Sequence, residues 1–545
     1  MSEVVTRIER IIARRVWDSR GRPTVEAEVH LHGGAVGRAI VPAGASKGRR
    51  EALELRDGGT RFGGLDVQAA LGHIRGEIAT ALAGMDAGDQ GSIDARLVTL
   101  DGTPNKQRLG ANATLAVSMA VAHAAAAAER RPLYEVLLAA GNAAPASAEA
   151  AQPQPRSRSQ SQPLPGSQPQ PAMPPQTQHP LLPMPQIQIF GGGAHAARRV
   201  DIQDFMVVCP GARSFAQALE WTAEVYRAAG EMLAERGVRH GVADEGGHWP
   251  DFASNEEALA ALVAAIERAG FAPGAEVAIA LDVAASEFGE RGRYRLGLEA
   301  RELDSDGLID LLLRWCERYP IVSVEDPLAE DDLEGFARFT RAAGERIQVV
   351  GDDLLVSDAA LVRAAAVAGA ANTVLLKPNQ RGTLTETLEC WRAARSLGYA
   401  GIVSARSGES EDTTIVDLAI GWGVGQLKVG SFARSERMAK WNEALRIEER
   451  LGARGRFAGA AVFGRSAGRL AVQRRADEFA ASRARAMRAR RSASSCAALV
   501  DSGVVSGTPW KNTSSAASAS AAASAPLAAP APFVPVAKKR SSVRG

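Results

Sequence analysis

The sequence predicts an α/β protein in which an N-terminal α+β capping domain precedes a β/α barrel. Three observations carry this. Thr24-Val25-Glu26-Ala27-Glu28-Val29 and its flanks alternate apolar and polar residues, the period of half-buried antiparallel strands. Beyond residue 181, short apolar runs each end in a charged or polar residue, with helical stretches between them. The two patterns are separated by 143–180, a stretch of Pro, Gln, Ser and Ala with hardly any apolar bulk.

The first unit, residues 1–142, continues past its strands into a small-residue loop, Gly44-Ala45-Ser46-Lys47-Gly48, and then Ala-rich helices ending near Leu138. The stretch 111–128 is long and fairly apolar. Its Asn112, Ser118 and His123, and the weak hydrophobicity of its alanines, favour a buried core helix over a membrane span. The insert 143–180 cannot bury enough surface to offset chain entropy and is expected to be disordered, a spacer by default.

The second unit, 181–452, carries the runs AIALD ending at Asp282, IVSVED reaching Glu325, IQVVGDD reaching Asp352, TVLLK ending at Lys377, GIVSARS ending with Arg406 and Ser407, and GQLK ending at Lys428. Continuous apolar strands belong to a parallel sheet covered on both faces. An open doubly wound sheet produces the same alternation, but at least six such runs in a row favour a closed (β/α)8 barrel. From 453 on, Arg, Ala and Ser dominate. Residues 453–545 hold 16 Lys/Arg against 3 Asp/Glu, leaving 48 against 59 in 1–452, so an acidic body carries a basic tail. That tail is expected to be largely disordered, with 471–491 able to form a basic helix, and polyanion binding would follow from its charge. Cys209, Cys316, Cys390 and Cys496 lie far apart without a CxxC spacing, which suits a reducing cytoplasm and suggests neither a zinc ribbon nor a disulfide framework. The N-terminus has charges where a signal peptide needs an apolar run.

Active sites of β/α barrels lie where the strands end. Here the ends present three acids and then two lysines. Asp282, Glu325 and Asp352 converging on one axis would raise one another's pKa values, and a divalent cation resolves that; hard oxygen ligands suit Mg2+. A lone acid after a strand is as often a helix N-cap, and a lone lysine as often an ion-pair partner, so the order of the five carries the argument. Lys377 and Lys428, near other cations and apolar walls, would lose pKa and could act as bases. Asp244-Glu245-Gly246-Gly247 and Gly191-Gly192-Gly193-Ala194-His195 are weaker candidates: the first reads also as a turn, and the second lacks the spacing of a dinucleotide loop. Arg406-Ser407-Gly408 could bind phosphate through a guanidinium fork and a hydroxyl, or pair with Glu409 or Glu411.

Taken together, the motifs Asp18-Ser19-Arg20-Gly21, LDGTPNKQRLGANAT, VADEGGHWP, ALDVAASEF, VSVEDPLAEDD, GTLTETL, RSGESEDTT and ARSERMAKWNEALRIEERLG resemble enolase over about 1–142 and 181–452. The insert and the tail have no counterpart in that pattern. The resemblance implies reversible dehydration of 2-phospho-D-glycerate to phosphoenolpyruvate in glycolysis, with two Mg2+ per site. It implies that Asp282, Glu325 and Asp352 bind the first ion and Ser46 the second. Lys377 would be the base and Glu245 the acid. Lys428 would bind the substrate carboxylate, and Arg406 and Ser407 its phosphate; Gln203, Asp204 and His195 would make further contacts. It also implies a homodimer or higher homo-oligomer and a cytoplasmic location, with family members found at the cell surface too.

The chain departs from the family pattern at several positions. Ala405 stands where the pattern has histidine, and Asp204 where it has glutamate. Ala43 replaces serine, Lys47 threonine, Phe190 asparagine and Pro378 valine. A slowed enzyme, a dehydratase for a different acid, or a non-catalytic paralogue binding through its basic tail are therefore the competing expectations.

Overall fold

The structure, a computed structural model, describes residues 5–45, 47–142 and 179–463. Residues 143–178 of the insert, residues 464–545 of the tail with its expected basic helix, and Ser46 lie outside the described residues.

The N-terminal part opens with an antiparallel sheet of β1 (Ile8–Trp17), β2 (Pro23–Leu31) and β3 (Val36–Ile40), in that order. Along β2, Val25, Ala27, Val29 and Leu31 are buried, which is the face the alternation predicts. Helices α1 (Gln90–Asp101), α2 (Ala111–Glu129) and α3 (Leu133–Asn142) follow. Most of α2 is buried in the core, as its composition suggests. Its backbone meets the sheet at Gly37, where an added Cβ would fall 2.1 Å from the Ala124 nitrogen. A side chain at that position would hold the helix off the sheet.

The second part is a closed barrel. Its strands are β4 (Met184–Gly191), β5 (Asp204–Val208), β6 (Ala278–Asp282), β7 (Ile321–Glu325), β8 (Gln348–Gly351), β9 (Thr373–Leu376), β10 (Ala400–Ser404) and β11 (Gln426–Gly430). They pair in sequence order, and β11 returns to β4. The expected eight-fold β/α repeat is broken at the start. β5 follows β4 with no helix of eight or more residues between them and runs antiparallel to both β4 and β6. Two helices, α4 (Phe215–Glu235) and α5 (Asn255–Arg268), then come together before β6. From β6 on, strands and helices alternate: α6 (Ser305–Arg318), α7 (Leu333–Ala343), α8 (Ala359–Ala368), α9 (Leu384–Ser396), α10 (Thr414–Gly421) and α11 (Ser435–Leu451). Local chemistry starts many of these helices. Ser214, Ser254, Asp304, Asp332, Asp358 and Thr383 each accept a backbone N–H from the first turn, a cap worth about 1 kcal/mol.

The chain stays ordered past 452, where composition changes. Arg456–Phe457 pair with Leu181–Leu182, and Phe463 packs with Met184, Met206, Val208, Ala278, Ala280 and Val322. These apolar residues close the end of the barrel opposite the site. A few apolar side chains scattered among Arg, Gly and Ala are enough to anchor a segment that composition alone assigns to the tail.

The N-terminal part docks onto the barrel through α3 and α10. Asp417 Oδ1 accepts from the Tyr134 backbone nitrogen at 3.1 Å. Burial, helped by Glu443 and Asp412 and opposed by that N–H and by Arg450, pushes its carboxyl up to about 7. The unfolded chain releases this proton near pH ~4, so the folded state holds more protons between about 4 and 7. Stability contributed here is present at low pH and falls as pH rises through that window. Asp417→Asn should remove the fall, and its advantage over the parent should grow by roughly 2–3 kcal/mol between pH 5 and pH 8. Urea unfolding at the two pH values measures this; an equal difference at both would contradict it.

Candidate active site

The parallel strands deliver their last residues to one end of the barrel. Asp282 and Glu325 close β6 and β7 and stand side by side in register. Asp352 follows β8, Lys377 follows β9, Arg406 lies two residues past β10, and Lys428 sits within β11. Asp204 reaches the same end by the opposite route. Because β5 is antiparallel, its first residue rather than its last lies at the mouth, paired in register with Asp282.

All these side chains are buried. Lys428 Nζ donates to Asp282 Oδ2 at 2.7 Å and to Glu325 Oε2 at 2.8 Å, with Asp204 Oδ2 at 3.6 Å. Lys377 Nζ donates to Asp352 Oδ2 at 2.5 Å, and Gln380 Nε2 to Asp352 Oδ1 at 2.8 Å. Gln203 Nε2 donates to Asp282 Oδ2 at 2.9 Å. Asp204 Oδ1 accepts from Gln188, whose own oxygen takes the Gly247 N–H at 2.8 Å.

The electrostatics follow from this crowding. Burial and then Asp282 raise the Glu325 carboxyl well above the usual range, against the pull of Lys428. Burial pushes Lys428 down, but Asp282, Glu325 and Asp204 together raise it well above its ordinary value. Both lysines thus depart from the expectation of a lowered pKa, Lys377 as well as Lys428. Burial, the largest influence, and then Arg406 and Lys428 lower Lys377, yet the carboxylates, led by Asp352 at hydrogen-bond distance and joined by Glu325, raise it and the net shift is upward.

Among the described residues, Asp326, Asp352 and Asp353 form a tight acidic cluster. Asp326 is occupied structurally: it accepts the backbone N–H groups of Asp352 at 2.9 Å and Asp353 at 2.8 Å, which shapes the turn after β8. The residues that fit a cation are Asp282, Glu325 and Asp352, at the ends of three adjacent strands. Glu325 Oε1 is buried with no hydrogen-bond partner among the described residues, and an ammonium already bridges the first two acids. Buried hard oxygens of this kind suit Mg2+.

Glu245 lies in the turn between the short strands Arg239–Val242 and His248–Pro250. It is buried and adds to the negative field on Lys428. Its carbonyl accepts the Ser431 N–H at 2.9 Å, and Gly430, at φ +119°, leaves room for that carbonyl where a Cβ would come within 2.7 Å. Ser407 Oγ accepts the Ala45 N–H at 2.6 Å and faces Arg20 Nη1 at 3.4 Å. Thus the Asp18–Gly21 motif, with Arg20 Nη2 also on the Ala43 carbonyl at 2.9 Å, braces the loop against the barrel mouth. Ala405 is buried at the end of β10, its N–H on the Lys428 carbonyl at 2.8 Å; its methyl offers the site no donor. His195 belongs to the 3-10 turn Gly193–Ala196, and its side chain lies outside the described residues, as does Ser46.

Sequence reasoning did not find Gln188, Gln380 or Glu51. Gln186 and Gln188 share one face of a buried strand, and two polar residues at a spacing of two in an apolar run were the available signal. Glu51 carries no such signal and meets Arg406 only through the fold.

A closed barrel with an antiparallel second strand, an α+β domain over its mouth, and buried carboxylates interleaved with two lysines defines a barrel lyase built for acid–base chemistry on an anion. The family profile for the enolase C-terminal TIM barrel domain matches residues 179–466, and that for the enolase N-terminal domain matches 8–137. The enolase of Rubrobacter xylanophilus is 46% identical over 460 residues, covering 84% of this chain and 98% of that relative. The chain belongs to the enolase family: it is a phosphopyruvate hydratase, a lyase that dehydrates 2-phosphoglycerate to phosphoenolpyruvate.

Proposed function

We propose that the chain catalyses this dehydration in glycolysis with two Mg2+ per site, as a homo-oligomer, at a rate limited by Ala405 and Asp204. The observation that carries the reading is the pairing of Asp282 and Glu325 on Lys428 beside that of Asp352 on Lys377. In it, Asp282, Glu325 and Asp352 would hold the first ion and Ser46 the second. Bound there, the ions would supply the positive charge that offsets the charge building on the substrate carboxylate. A lysine base with one or two Mg2+ is the established pattern of the enolase superfamily.

The chain's own residues divide the remaining work. Arg406 and Ser407 bind the phosphate, and Lys428 the carboxylate. Lys377 Nζ takes the C2 proton, which requires that its pairing with Asp352 be relieved so that the amine can be neutral. Glu245 gives a proton to the departing C3 hydroxyl, since hydroxide is a poor leaving group. Gln203 orients Asp282, and Gln188 holds Asp204 on the acid side. Burial keeps water from competing for these charges. Purified protein should form phosphoenolpyruvate from 2-phosphoglycerate with Mg2+, lose that activity in EDTA and regain it when Mg2+ is added. Absence of product at high enzyme concentration would leave the non-catalytic reading, or a different acid substrate fitted to the space at Ala405.

A further inference from the structure

The fork assigned to the substrate phosphate already grips an anion. Arg406 donates from Nη1 to Glu51 Oε2 at 3.0 Å and from Nη2 to Glu51 Oε1 at 3.2 Å, the parallel two-oxygen pairing that a phosphate would use. Both side chains are buried, 4% and 7% exposed, so the pair is not an incidental surface bridge. Glu51 belongs to the segment just after the small-residue loop. Its Oε1 also accepts from the Gly48 N–H at 3.2 Å and faces Gln380 Nε2 at 3.4 Å. Gln380 in turn donates to Asp352. One carboxylate thus joins the loop backbone, the phosphate fork and, through an amide, an acid of the proposed cation site. A buried guanidinium left without a counter-ion is costly, and Glu51 supplies one.

We propose that Glu51 is an internal substitute for the substrate phosphate, displaced from Arg406 when phosphate binds. The proposal rests on Arg406 being the phosphate ligand. It makes Glu51 a specificity-determining positioning residue. A simple carboxylate resembles the group it must displace and competes poorly, whereas a phosphate dianion brings more charge and a third oxygen to the same fork. Removing the Glu51 charge should therefore tighten phosphate binding and weaken the preference for phosphate over carboxylate anions.

Inorganic phosphate, with acetate for comparison, is the probe, titrated calorimetrically into the full-length protein in Mg2+. Glu51→Gln is expected to bind phosphate at least fivefold more tightly than the parent and to narrow the phosphate-to-acetate ratio. Glu290→Gln, which removes an equal charge from an exposed position beside Arg49, should change phosphate affinity less than twofold. Equal tightening in both variants would reduce the effect to net charge and overturn the proposal, as would unchanged or weaker binding by Glu51→Gln. Arg406→Gln separates the two levels. If it leaves phosphate affinity intact, the fork assignment itself fails; if it weakens binding while Glu51→Gln has no effect, only the displacement fails. Should Glu51→Gln not fold, Glu51→Asp, which withdraws the carboxylate by one methylene, must tighten phosphate by a smaller factor or the proposal falls.

Discussion

Lys377→Ala is expected to lower turnover of 2-phosphoglycerate by about 10³- to 10⁴-fold, near the upper end of what one positioned base contributes. The expectation rests on position. Lys377 follows the last residue of β9, with a buried stem and an ammonium at the mouth beside Asp352. Its backbone is fixed independently of its charge, because the Lys377 N–H donates to Ser357 Oγ at 2.8 Å. Truncation therefore removes the amine and leaves the strand end in place. Asp352 keeps Gln380 as a partner, so the acid is not stranded without a hydrogen bond. Loss of the charge balance is a second consequence, and Lys377→Arg separates the two. It retains a cation that does not deprotonate at accessible pH. If Lys377 acts as a base, the arginine variant should be nearly as inactive as the alanine variant while melting close to the parent. Activity within tenfold of the parent in either variant would place the proton-abstracting group elsewhere.

How much of this site was legible depends on strand direction. Asp282, Glu325, Lys377 and Lys428 stand out in the bare sequence because each lies at or near the end of an apolar run, and parallel strands carry those ends to one face. Asp204 and Gln203 precede an apolar run, so the same rule assigns them to the wrong end; only the family resemblance singled them out. The antiparallel β5 that brings them to the mouth leaves no local trace, since an apolar strand reads alike in both directions. The barrel's closure through β11 and β4 is equally non-local. Glu51 and Arg406, 355 residues apart, become neighbours only when the first unit is laid over the second. The loss is systematic: period and composition report what one element buries, whereas residues such as Gln188, Gln380 and Glu51 serve charges on other elements. Phe457 and Phe463 were missed for the complementary reason, too little apolar residue per window to register against a basic, alanine-rich background.

Combining Ala405→His with Asp204→Glu is expected to raise turnover by about ten- to a hundredfold, the scale on which small misplacements of catalytic groups act. The two sites flank Lys428 from different strands. Asp204 Oδ2 stands 3.6 Å from Nζ, beyond hydrogen-bond range, whereas Asp282 and Glu325 are within it. One added methylene carries the carboxylate roughly 1.5 Å further, enough to close that gap while Gln188 adjusts. Ala405 contributes only a methyl at the mouth, and its backbone N–H is already held by Lys428, so an imidazole there would supply a donor without altering the strand end. The changes should be more than additive if both act on one bound substrate, because neither completes the site alone. Overpacking works against this. Asp204 is fully buried, and a glutamate that cannot extend toward Lys428 would cost about 1–3 kcal/mol of stability with no gain in rate. Steady-state kinetics of the parent, both single variants and the double variant distinguish these outcomes. A folded double variant no faster than the parent would show that the site has been rebuilt around alanine and aspartate, and that neither limits the reaction.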